Sequence, residues 1–172
     1  MQRIIFLALI GFSCLCFSSN KLTQTIKEAN IRFDLPSEEW FYAEKIKNGS
    51  KSLIYVYKRQ SIELEEEEII PVISVMAEEL AKDTDKDQYL KGLESKMEYK
   101  VMEHFGIESG KFTYSAATCF KATYIDVMHE HHTVYILNGY SAKSGFQMIL
   151  DANTDVMPQV EKEFLAVLKS VR

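Results

Sequence analysis

Alternating hydrophobic and polar residues predict β-strands along most of this chain. Residues 31–35 alternate apolar and polar side chains and are followed by Pro36, which is the pattern of a half-buried strand that ends at the proline. Residues 53–57 are apolar on both faces, as in a strand that is covered on two sides. Asn48 and Gly49, just before this run, predict the turn of a hairpin.

The second half of the chain continues this strand pattern. Residues 69–76 form an apolar run, and Pro71 indicates either an edge strand or the beginning of a strand. Three more segments follow: 111–127 (one or two strands), 133–140 and 146–151. Because only short turns separate these apolar runs, we expect neighbouring antiparallel strands.

Two segments have helical periodicity instead. The first begins near Asp85, which has capping-box spacing to Gln88, and Gly106 is placed to end it. Its apolar stripe consists of Leu90, Leu93, Met97 and Val101.

The second helix is predicted near the end of the sequence. Asp155 is its predicted N-cap, and Pro158 falls in the first turn, where its missing N–H costs little. Its stripe consists of Val156, Val160, Phe164, Val167, Leu168 and Val171.

Together these segments predict an α+β fold, an antiparallel sheet with two main helices packed on it. The element order, with Pro-Ser-Glu-Glu-Trp at 36–40, Ile-Ile-Pro-Val-Ile-Ser-Val at 69–75 and Leu-Lys-Ser-Val-Arg at 168–172, resembles the PsbP-like fold family. That family includes small exported bacterial proteins of the Bacteroidetes type. The resemblance covers residues 29–172 and implies an α/β/α sandwich, but it supplies no functional residue.

The N-terminus has the pattern of an export signal. Arg3 precedes an apolar run at 4–12, and small and polar residues follow. The run is shorter than the ~20 apolar residues of a membrane-spanning helix. We therefore predict a signal peptide at 1–19 and a single domain at 20–172, the alternative being an N-terminal core strand.

The fate of the signal peptide is open between two alternatives. Ser13 before Cys14 suits a bacterial lipoprotein, in which Cys14 or else Cys16 is lipidated, although Gly11 stands where a leucine is usual before Cys14. Ordinary cleavage after Ser18 would release a free protein, with Cys16 and Ser18 as the small pair. The predicted location is the periplasm or, for a lipoprotein, a membrane surface.

Composition and charge narrow the function. The chain has 172 residues, is 47% hydrophobic and carries a net charge of −5, which suits one globular domain and argues against a nucleic-acid binder. Serine nucleophile elbows, P-loops, Rossmann glycines and HExxH motifs are absent from the sequence.

Candidate metal ligands are concentrated in one run: His129, Glu130, His131 and His132. Histidine binds zinc, copper and nickel. On a strand His129 and His131 would share a face and His132 would point away, while Asp126 or Glu130 could complete a site. His104 could join only if the fold brings it near. The competing interpretation, which the sequence favours, is a solvated hairpin turn.

Three other features have structural interpretations. The glutamates at 63 and 65–68 read as a charged loop between strands. Cys119 lies in an alternating strand and reads as a buried structural thiol. Trp40, Phe41 and Tyr42 cannot all face inward, so we expect Phe41 or Tyr42 at a surface.

From the sequence we therefore expect an exported, non-enzymatic binding or interaction module of the bacterial cell envelope. The alternative is a small-ligand or metal carrier that uses the hairpin tip at His129–His132. We assign no catalytic, cofactor-binding or metal-ligating residue at this stage and expect no cofactor. The expected partner is a protein or an envelope component, with no nucleic acid and with membrane contact only through a lipidated N-terminus.

Overall fold

The computed structural model describes residues 22–65, 67–95 and 98–172, so the predicted signal peptide at 1–19 lies outside the described residues. The strands are β1 (Leu22–Ile26), β2 (Ile31–Leu35), β3 (Trp40–Asn48), β4 (Ser52–Arg59), β5 (Ile62–Leu64), β6 (Glu67–Ile69), β7 (Val72–Glu79), β8 (Lys100–Phe105), β9 (Ala117–Ile125), β10 (His131–Tyr140) and β11 (Ser144–Asn153). The helices are α1 (Lys86–Ser95) and α2 (Met157–Ser170), and Ile107–Ser109 form a 3₁₀ turn.

One large antiparallel sheet organises the chain. Seven strands pair in the order β3-β4-β7-β11-β10-β9-β8, while β1–β2 and β5–β6 each form a separate two-stranded sheet. The hairpin predicted at Asn48 and Gly49 joins β3 to β4, and Gly49 has a positive φ of 71°. The predicted α+β architecture, a sheet with two helices, is confirmed.

Helix α2 covers one face of this sheet. Its buried residues are Met157, Val160, Phe164, Val167 and Leu168. They share the main hydrophobic core with Phe146, Met148 and Leu150 of β11. The Trp40 indole N–H donates to Glu163 Oε2 at 2.6 Å, so α2 is joined to β3 by a polar contact as well as by packing.

Helix α1 lies on the opposite face. Since Phe146 faces the main core, its neighbour Gly145 faces away from that core, and a Cβ at Gly145 would meet the Tyr89 ring of α1. This face has a smaller apolar cluster, made of Phe120, Ala122, Val134 and Ile136. Neither helix is long and apolar enough to cross a bilayer within the part of the chain described above.

The prediction for the first helix is correct at its start and wrong at its end. The Gln88 backbone N–H donates to Asp85 Oδ1 at 3.0 Å, which is the expected N-cap contact. The helix ends at Ser95, and Met97 lies outside the described residues. Val101 belongs to β8 and pairs with Ala122, because pairing with β9 outweighs a helical spacing that a β-branched residue supports only weakly. Gly106 therefore follows a strand.

The predicted cap of α2 is wrong. Val156 occupies the N-cap position without a side-chain hydrogen bond. The Asp155 backbone N–H instead donates to Asn153 Oδ1 at 2.9 Å, so a local Asn turn positions the chain before the helix. Pro158 lies in the first turn as predicted.

The middle of the chain decides one open alternative and corrects one prediction. Pro71 precedes β7, which lies between β4 and β11 inside the sheet, so the proline marks a strand beginning and not an edge. The acidic segment predicted as a loop forms the β5–β6 hairpin, in which Glu63 lies directly opposite Glu68. Apolar neighbours explain this hairpin, since Ile62 belongs to the main core and Leu64 and Ile69 pack against it.

Gly139 offers a direct test of packing on the α2 side of the sheet. A Cβ at this position would lie 2.4 Å from Cζ of Phe146, its cross-strand partner. We expect Gly139→Ala to lower the free energy of unfolding by about 1–3 kcal/mol, because the ring must move within a filled core. The matched control is Gly92→Ala in α1, where a Cβ meets nothing within 4 Å. This substitution is expected to raise the free energy of unfolding by up to about 1 kcal/mol. Denaturant unfolding of both variants measures the difference, and equal effects would contradict this packing.

Candidate functional site

The turn between β9 and β10 is ordered by one aspartate. Asp126 Oδ1 accepts the backbone N–H groups of Met128 at 2.9 Å and of Glu130 at 2.8 Å. The backbone also closes on itself, because the Asp126 N–H donates to the Glu130 carbonyl at 3.0 Å. Aspartate directly after a strand favours this type of turn. The hairpin tip, defined here as residues 125–131, therefore has a fixed backbone.

His132 lies at the base of this tip and is held by two neighbours. Its Nδ1 is 2.8 Å from Asp151 Oδ1 on the adjacent strand β11. Its ring stacks on the ring of Tyr124, its cross-strand partner on β9, with centroids 4.9 Å apart. Because an ionised carboxylate only accepts hydrogen bonds, the contact places the ring proton on Nδ1 and leaves the Nε2 lone pair free in the neutral ring.

Tyr124 also fixes Asp151. The Tyr124 hydroxyl donates to Asp151 Oδ2 at 2.6 Å. Burial raises the pKa of Tyr124, and its contact with the Asp151 carboxylate raises that pKa further. The phenol therefore remains a protonated donor at neutral pH, and both oxygens of Asp151 are occupied.

The free nitrogen of His132 points toward two carboxylates of the tip. His132 Nε2 lies 3.8 Å from Asp126 Oδ2 and 4.0 Å from Glu130 Oε2. One ligand atom from each of these three residues lies within 4.8 Å of the others. Nε2 is buried and has no hydrogen-bond partner within the described residues, so the group is arranged around an atom that is not satisfied.

Residues of the acidic hairpin line a cleft together with this group. A cleft of about 230 Å³ is lined by His132, Asp126, Glu130 and Asp151 and also by residues 67–70 of β6 and the chain after it. Glu67 and Glu68 thus line the same cleft as the three acidic residues Asp126, Glu130 and Asp151. The fold brings together the histidine run and the glutamate run, which are far apart in the sequence.

The other histidines lie outside this group. His129 and His131 are exposed, and His131 pairs with Ile125, one register position from the Tyr124–His132 pair and therefore on the opposite face. His104 is on β8 and pairs with Phe120 of β9, which is four positions before Tyr124 on that strand. Of the predicted histidine ligands, only His132 faces the carboxylates.

Asp151 is the residue that the sequence analysis missed. It lies in the apolar segment of β11, and its contact with His132 depends on the register of β10 with β11. A charged residue in an otherwise apolar strand was the one available signal, because buried charges are normally paired.

Cys119 is a buried residue on β9, and burial raises the pKa of its thiol to about 12. Because the thiolate is the reactive form, we expect Cys119 to resist alkylation in the folded protein near pH 8. The measurement is iodoacetamide labelling of a chain in which Cys14 and Cys16 are replaced by serine, with guanidinium chloride exposing the thiol as the control. Rapid labelling of the folded chain would contradict a structural thiol.

The aromatic run divides between core and surface. Trp40 is buried, whereas Phe41 and Tyr42 are each about half exposed on β3, as predicted for at least one of them. Both edge strands, β3 and β8, contain a register irregularity, between Tyr42 and Glu44 and between Val101 and Glu103. Bulges of this kind discourage pairing with another strand, so the sheet edges are poor docking sites.

The hairpin tip has the stronger surface signal. Ile125, Val127 and Met128 are 57%, 93% and 75% exposed, respectively. Exposed large apolar side chains that are close together in the sequence of an ordered hairpin are typical of a contact surface.

Comparisons with known proteins support the fold. No family model matches the chain, and no curated protein matches it. A crystal structure from Bacteroides thetaiotaomicron is similar over 90% of this chain, with a TM-score of 0.50 and 10% identity, and this chain spans 48% of its length. The structure of LpqN, involved in cell envelope biogenesis of Mycobacterium tuberculosis, is similar over 83% of this chain and 82% of LpqN, with a TM-score of 0.55 and 13% identity.

Proposed function

We propose that this chain is an exported, non-catalytic binding module of the bacterial cell envelope, built on a PsbP-like fold, and that its hairpin tip contacts a protein partner. The observation that carries the proposal is the exposure of Ile125, Val127 and Met128 on an ordered turn. The fold shared with LpqN, a protein involved in cell envelope biogenesis, supports the envelope setting.

The energetics favour burial of the tip in a complex. Removing apolar surface from water contributes about 25 cal/mol per Å². Val127 and Met128 are largely exposed in the free chain, so most of their apolar surface is still available to be buried by a partner. Asp126 already holds the turn backbone through two N–H groups. A pre-ordered turn loses less conformational entropy on binding than a disordered one.

The surrounding charge selects the kind of partner. Asp126 and Glu130 lie at the tip, and Glu67 and Glu68 line the cleft beside it. An anionic lipid surface would be repelled by these carboxylates. A protein pocket that is apolar at its centre and basic at its rim is complementary to them.

The partner contact is tested by changing the tip and a matched surface position. We expect the double variant Val127→Asp and Met128→Asp to recover at least about tenfold less partner than the unaltered chain in crosslinking and pull-down from the native envelope. The reason is that carboxylates buried without partners oppose binding. The control is Ile107→Asp, since Ile107 is 49% exposed and follows β8 at the end of the sheet away from the tip. It should recover the partner as the unaltered chain does.

The same preparation tests export. Mass spectrometry of the N-terminus should show a lipidated Cys14 or Cys16, or a chain that begins after Ser18. An intact leader on the cellular protein, or a partner recovered equally with the tip variant and the Ile107 control, would contradict the proposal.

A further inference from the structure

We propose that Asp126, Glu130 and His132 bind one divalent transition-metal ion, with Asp151 positioning the histidine. This inference concerns the base of the hairpin tip and does not depend on the protein contact proposed above. It gives the metal-carrier alternative a specific ligand set, in which His132 is the only histidine and two carboxylates replace His129 and His131.

The three donor atoms are of the types that bind zinc, and the distances between them are close to those of a zinc site. Zinc binds imidazole nitrogen and carboxylate oxygen at about 2.0–2.2 Å, which places neighbouring ligand atoms of a tetrahedral site about 3.4 Å apart. The distances from His132 Nε2 to Asp126 Oδ2 and Glu130 Oε2 are 3.8 and 4.0 Å. Small rotations of the two carboxylates would close this gap. Three protein ligands leave a further position for water or another ligand.

The protein geometry leaves His132 Nε2 in need of a partner. The atom is buried without a hydrogen bond among the residues that the structure describes, and a buried polar atom without a partner is unfavourable. Asp126 Oδ1 is committed to the turn, whereas Oδ2 faces the histidine. An ion between these atoms would satisfy the nitrogen and neutralise the adjacent carboxylates.

A second layer of contacts holds the histidine in its metal-binding orientation. Asp151 accepts from Nδ1 of His132, and Tyr124 donates to Asp151 and stacks on the imidazole. A carboxylate on the other ring nitrogen is the usual partner of a metal-bound histidine, because it fixes the tautomer and raises the basicity of the ligand. Asp151 is therefore a positioning residue.

The acidic hairpin strengthens the attraction for a cation. Glu67 and Glu68 line the cleft, and Glu68 lies directly opposite Glu63, an arrangement of like charges that is unfavourable without a counter-charge. The imidazole ligand and the small number of donors favour a transition-metal ion over calcium, which takes about 6–8 oxygen ligands.

Calorimetric titration with Zn²⁺ tests the site on the full chain after treatment with a chelator. We expect one equivalent to bind to the unaltered chain and to His131→Ala, the matched control on the opposite face. His132→Ala should weaken binding by at least about 100-fold, since even outer-layer partners of metal ligands contribute about 10- to 100-fold. Equal binding by the two alanine variants would overturn the proposal, because it would indicate a surface site made by the exposed histidines.

A second variant keeps the test valid if His132→Ala unfolds. Glu130 is half exposed at the tip, so Glu130→Gln should leave the thermal unfolding temperature unchanged and still weaken Zn²⁺ binding by at least about tenfold. Mg²⁺ serves as the hard-cation control and should bind far more weakly than Zn²⁺. Unchanged Zn²⁺ affinity in Glu130→Gln, or equal affinity for the two ions, would overturn the proposal.

Discussion

Replacing Phe164 with alanine is expected to lower the free energy of unfolding by about 3–5 kcal/mol, the range for removing a buried phenylalanine ring. Phe164 is fully buried at the centre of the α2 stripe, and its ring lies 5.8 Å from that of Trp40. The cavity would open where α2 packs on the sheet next to β3. A loss of this size is a large part of the about 5–15 kcal/mol that stabilises a typical domain.

Urea unfolding, followed by circular dichroism, measures this loss. Lys162→Ala is the matched control, because Lys162 is exposed on the same helix and its replacement should change stability by less than about 0.5 kcal/mol. If Phe164→Ala lowers the free energy of unfolding no more than Lys162→Ala does, α2 does not pack on the sheet as described.

Replacing Asp151 with asparagine is expected to weaken Zn²⁺ binding by about 10- to 100-fold, although Asp151 is not a proposed ligand. Asparagine has nearly the same shape but lacks the charge that holds the proton on Nδ1 of His132. Asp155→Asn is the matched control, because Asp155 is an exposed acid just after the same strand and is not a member of the ligand group found among the described residues. Calorimetry should give the control the affinity of the unaltered chain.

Nitrogen NMR of the His132 ring separates positioning from a general loss of structure. In the unaltered chain the ring should be one tautomer with its proton on Nδ1, as the contact with Asp151 requires. Asp151→Asn should give a mixture of tautomers while the rest of the spectrum stays folded. Unchanged tautomer and unchanged affinity would show that Asp151 does not position the histidine.

Local sequence patterns predict most strands and the second helix, because their burial alternates with the period of the backbone. The patterns give a wrong prediction where pairing with a strand that is distant in the sequence determines the local structure. Val101 has helical spacing to Leu93 and Met97, yet it pairs with Ala122 in a strand. Strand β1 has little apolar alternation and forms because its residues pair with β2.

The candidate site could be predicted only in part for the same reason. The histidine run points to its location, and alternation correctly separates His132 from His131. The contact with Asp151 depends on strand register, and the approach of Glu67 and Glu68 depends on where the separate β5–β6 sheet packs. These are long-range relations that no local spacing specifies.

The central claim, that the hairpin tip is the contact surface of this chain, is tested most directly by photo-crosslinking in living cells. A photoreactive amino acid at position 127 should crosslink to one protein, and the same residue at position 107 should not give that product. Identical products from both positions, or crosslinks at position 127 to lipid alone, would contradict the account.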